Sequence, residues 1–87
     1  MTLSLKIEIF RENDVFVALA PELNVSSFGE TIEEAKKSIR EALEGFFEEC
    51  ERMGSLEDVL EESGFLKNGK AWEQRKPVEE DSRAIAI

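Results

Sequence analysis

Histidine is absent from the 87 residues, and that gap removes most of the nucleophilic and metal chemistry open to a small protein. Ser-His and Cys-His pairs, His-liganded metals and the usual general base near neutral pH all need an imidazole. Cys50 is the only thiol. It has no internal disulfide partner, it falls on an apolar helical arc, and it reads as a small core side chain. A zinc site lacks ligands. Carboxylates are the remaining reactive type, and Glu30, Glu33 and Glu34 stand together at a helix start, where a Mg²⁺ site or an acid–base pair is compositionally open. The plainer reading is structural: Glu34 has a capping role, and acidic side chains in a first turn complement the helix dipole. Gly29-Glu30-Thr31 superficially resembles an anion cradle, but its own carboxylates repel a phosphate. The expectation is a protein that is not an enzyme and takes no cofactor and no metal.

Carboxylates matter instead as charge. The chain carries 11 Lys and Arg against 20 Asp and Glu, a net −9. Residues 30–62 hold four basic and twelve acidic side chains, so −8 of the total sits in one segment. A nucleic-acid binder needs a basic footprint, and no direct nucleic-acid binding is expected; a cationic protein partner fits the charge. No apolar run approaches the roughly 20 residues that cross a bilayer, and the N-terminus alternates where a signal peptide would be solidly apolar. With a lone cysteine, the expected location is cytoplasmic, with no membrane association.

The elements that position these carboxylates are legible as a single α+β domain over 1–87. Leu3, Leu5, Ile7 and Ile9 alternate with polar residues, the pattern of a strand with one buried face. Glu12-Asn13-Asp14 supplies a turn. Val15 to Ala20 is apolar on both faces, with Val15, Val17 and Leu19 on one and Phe16, Ala18 and Ala20 on the other, a strand that wants cover on both sides. Pro21 ends it, and a shorter strand follows around Asn24 to Phe28. Three strands with short links read as an antiparallel meander. Thr31-Ile32-Glu33-Glu34 is a capping box, and Ile32, Ala35, Ile39, Ala42, Leu43, Phe46, Cys50 and Met53 then fall on one arc wide enough to cover a sheet. Gly54 stands where a left-handed cap belongs. Ser55 opens a short second helix with Leu56, Val59 and Leu60 inward, and Gly64 ends it. Residues 66–82 read as an irregular connector containing Gly69, Trp72 and Pro77. Arg83-Ala84-Ile85-Ala86-Ile87 closes the chain as a returning strand, parallel to the first and beside it.

Two surfaces follow. The lower half of the long helix presents Glu44, Glu48, Glu49 and Glu51, which oppose the helix dipole and are offset by Arg40 pairing with Glu44 and Arg52 with Glu48. As a function, this is a face steered towards a cationic protein patch; the plain alternative is an ordinary solvated face. The second surface is the sheet side not covered by the helix, read as Phe10, Phe16, Ala18 and Phe28. Trp72 is either its internal cover or an interface anchor. A chain this small buries only about 60–65% of the surface its unfolded form exposes, so a homodimer or larger assembly is expected, through this face or a sheet edge.

Phe16-Val17-Ala18, Pro21-Glu22-Leu23, Gly29-Glu30-Thr31, Glu33-Glu34-Ala35 and Glu41-Ala42-Leu43 occur in this order over about a third of the chain. In this the sequence resembles the HicB-like antitoxin family, small domains of type II toxin–antitoxin systems. The resemblance implies a partial ribonuclease-H-like, or degenerate double-stranded-RNA-binding, fold of three strands, a helix and a returning strand. It also implies a role as antitoxin, masking a small basic HicA-type ribonuclease toxin. Relatives often append an operator-binding domain, which this chain has no length for, so autorepression is not expected of it. Asn24-Val25-Ser26 stands where the family usually carries Pro-Gly-Cys, so the turn after Leu23 is expected to differ. The alternative is a structural or regulatory homo-oligomer with no toxin partner.

Overall fold

Two asparagines set the first three-stranded sheet. Asn13 and Asn24 both adopt φ of 55°, a left-handed conformation that asparagine tolerates better than other non-glycine residues. In the computed structural model, which describes residues 1–87, they lie in the turns joining β2 (Glu8–Glu12), β3 (Val15–Ala20) and β4 (Val25–Gly29). These strands pair antiparallel in the order β2-β3-β4, the expected meander. The two-residue link Asn13-Asp14 fixes the register: Glu12 faces Val15, and Phe10 therefore faces Val17.

Helix α1 (Ile32–Arg52) follows, capped as its sequence dictates. The Glu34 amide donates to Thr31 Oγ1 at 3.0 Å. The Glu34 carboxylate accepts from the Glu30 amide at 2.9 Å, one residue before the expected Thr31. At the other end Gly54, with φ of 72°, turns the chain out of the helix. Ala35, Ile39 and Leu43 pack on Ala18 and Ala20 of β3, with Ile9, Phe16 and Val25 around them. The alanines let the helix lie close. Closest is Gly29, where a Cβ would come within 2.5 Å of the Ala35 nitrogen and 2.7 Å of Glu34 Cβ. The ends of the apolar arc, Ile32 and Met53, stay exposed.

A second core lies below the first. Cys50 from α1, Leu56 and Leu60 from α2 (Leu56–Glu62), Phe65 from β5 (Phe65–Asn68) and Trp72 from β6 (Ala71–Gln74) form it. Leu5, Leu23 and Phe47 touch both cores and join them, and the Phe46 and Phe47 rings meet edge-on, 5.5 Å apart. Here the structure corrects the sequence reading. Residues 66–82 are not a simple connector: β5 and β6 form an antiparallel hairpin whose link contains Gly69, with φ of 65°. The returning strand exists, parallel to the first, but it is β6 rather than residues 83–87. It pairs with β1 (Thr2–Ser4), Leu3 facing Trp72, giving the order β1-β6-β5. Trp72 takes the slot and is 1% exposed there, anchoring β6 in the second core. The first strand also divides. Leu3 turns into the second core, Ile9 into the first and Leu5 lies between them, so residues 5–7 pass between two sheets instead of continuing one. Residues 75–87 form no helix or strand.

Candidate functional site

The acidic residues of α1 do not share one face. At about 100° per residue, Glu44, Glu48 and Glu51 fall within roughly 60° of one another, with Glu48 farthest from the stripe of Ile39 and Leu43 and Glu51 only about 80° from Leu43. Glu49 lies on the other flank, where its carboxylate accepts from Arg52 Nε at 3.1 Å. The expected pairs of Arg40 with Glu44 and of Arg52 with Glu48 are not formed: Arg52 reaches back three residues, not four. None of the chain's ion pairs, which join Lys36 to Glu33, Arg52 to Glu49, Lys67 to Glu57 and Arg83 to Asp81, neutralises Glu44, Glu48 or Glu51. These three exposed carboxylates form a ridge on the solvent side of a helix held at both ends by a core.

The open side of the meander differs from the expectation in its membership. Phe10 and Phe28 belong to it, 48% and 67% exposed. Phe16 and Ala18 do not: Ala18 is fully buried under α1, and Phe16 packs beside it with the Arg11 guanidinium 6.0 Å from its ring centre. Their places are taken by Val17, which faces both Phe10 and Phe28 across the strands, and by Val15 and Leu19. The signal was present in the sequence. A two-residue turn at Asn13-Asp14 forces Phe10 opposite Val17 and so onto the Val17 face, since cross-strand partners project to the same side. Trp72 lies on neither surface. It is 1% exposed in the second core, with Lys67 Nζ 5.8 Å from its ring centre, and its indole nitrogen has no hydrogen-bond partner. It is therefore an internal cover, though for the second core and not for the meander.

The ridge and the open sheet face thus stand on opposite sides of a slab whose shortest dimension is 21 Å. One small partner cannot lie flat on both. Glu34 accepts from the Glu30 amide and Glu33 lies 3.8 Å from Lys36, and no group of three or more acidic or thiol side chains converges to hold a metal ion. No helix is long and apolar enough to cross a membrane. Comparison of the chain with protein-family models, with curated proteins and with solved structures returns no match.

Proposed function

We propose that the chain is a non-enzymatic binding module of the antitoxin type, neutralising a small basic HicA-type ribonuclease by covering it. The reading rests on the resemblance to HicB-like antitoxins set out above. The observation that supports it best is the ridge of Glu44, Glu48 and Glu51, free of cationic partners on a helix braced by two cores. Uncompensated like charges on a rigid element raise the encounter rate with an oppositely charged surface, and a basic ribonuclease presents one. The cationic partner docks on the solvent face of α1, not on the sheet, because the two surfaces point apart. Co-expression with the product of the adjacent reading frame tests the reading. The expected result is co-purification and loss of RNA cleavage in stoichiometric mixtures; cleavage that continues undiminished with excess chain overturns it.

A second reading, a homo-oligomer of structural or regulatory role without a toxin, draws on the exposed Phe10 and Phe28 and the half-buried Val17 between them. It is favoured if the chain self-associates while no basic partner co-purifies.

A further inference from the structure

Because β6 fills the parallel slot beside β1, residues 83–87 remain as a strand-forming segment with nothing to pair with. In Arg83-Ala84-Ile85-Ala86-Ile87 large and small side chains alternate, so an extended chain sends the isoleucines to one side and the alanines to the other. Ile85 is 78% exposed and Ile87 is fully so.

The molecule also has an edge that lacks the usual protection. Its edge strands are β1 and β5 in one sheet and β2 and β4 in the other. Proteins blunt such edges with charge, proline or brevity. β1 has three residues, β5 carries Lys67, and β2 carries Glu8, Arg11 and Glu12. β4, Val25-Ser26-Ser27-Phe28-Gly29, is five residues long with neither charge nor proline.

We propose that residues 83–87 of one copy add antiparallel to the β4 edge of a second copy, with Ile85 opposite Phe28, and that the exchange is reciprocal. The register follows from both faces of β4. On the open side, Ile85 and Ile87 join Phe28 and Val17 above a shallow concavity that Val15 also lines. On the other side, Ala84 meets Gly29 and Ala86 meets Ser27, beneath α1, which lies chiefly over β4. α1 comes close enough to β4 to exclude a Cβ at Gly29, and the small alanines suit the helix-side positions of an added strand. The same register brings Arg83 opposite Glu30. The linking residues 75–82 span up to about 26 Å when extended, enough to carry the segment to a neighbouring molecule. The exchange leaves the acidic ridge of α1 free, and it stands whether or not the antitoxin reading holds.

Sedimentation equilibrium of the isolated chain across the micromolar range is the test. A monomer–dimer equilibrium is expected, and either Ile85→Glu or Ser26→Lys raises its dissociation constant about tenfold or more, a loss of roughly 1.4 kcal/mol. Both positions are exposed in the single chain, so neither change disturbs its fold, and unchanged thermal melts confirm this. A chain that stays monomeric throughout, or a dimer that tolerates both substitutions, overturns the proposal.

Discussion

The indole nitrogen of Trp72 is buried without a partner, an arrangement that costs stability because a stranded donor loses its hydration and gains nothing. The ring around it earns that cost by filling the second core. The two contributions separate by substitution. Trp72→Ala removes the ring and leaves a cavity, and is expected to cost about 3–5 kcal/mol. Trp72→Phe keeps much of the apolar volume and deletes the stranded donor, so it costs less than half as much. Urea melts of the two variants measure this, and equal losses contradict it. Gly29 is the other residue on which local geometry turns. A methyl group there meets the Ala35 nitrogen and Glu34 Cβ, so Gly29→Ala is expected to lose about 1–3 kcal/mol as α1 is pushed off β4. A neutral result in the same melts shows that the helix start yields without strain.

Among the elements, α1 was the most legible. Its capping box, its apolar arc and Gly54 each specify a helix, and they agree. The meander was legible for a similar reason, since turn residues and alternation pointed the same way. What escaped the sequence reading was governed by contacts between distant segments. Nothing local distinguishes Leu3, which enters the second core, from Ile9, which enters the first, or from Leu5, which touches both. Arg83 to Ile87 looks more strand-like than Ala71 to Gln74, yet it is β6, tied to β5 by a short hairpin, that reaches β1. The local signal for this hairpin is Gly69, which opens the two-residue link Gly69-Lys70 with φ of 65°, as a glycine at the first position of a tight hairpin turn allows. In the candidate site, the acidic run was readable by composition, but its division into a ridge and a flank needed the helical phase. That division carries a prediction. Reversing Glu44, Glu48 and Glu51 to Lys is expected to slow association with the basic partner at least about tenfold, within the range by which steering raises encounter rates. Glu49→Lys, where Arg52 already neutralises the carboxylate, slows it far less. Stopped-flow association rates decide, and equal effects per charge contradict the ridge.

For the whole molecule, the arrangement is a slab with unlike sides: acid on the outer surface of α1, exposed aromatics on the far side of the meander. Of the −9 net charge, −8 falls in residues 30–62, with −3 on α1, −4 on α2 and −1 at Glu30, so the acid is shared between the two helices. Exposed charges are screened beyond about 8–10 Å at physiological ionic strength. Binding to a cationic partner therefore weakens as salt rises, with the change falling mainly on the association rate; salt-independent rates argue against steering. The most direct test of the account is the hydrogen-exchange footprint of the complex with the co-purified basic partner, recorded at a dilution that keeps the chain from self-association. Slowed exchange is predicted along α1 around Glu44, Glu48 and Glu51, with β2, β3 and β4 unchanged. Slowed exchange confined to the meander strands, leaving α1 untouched, would contradict it.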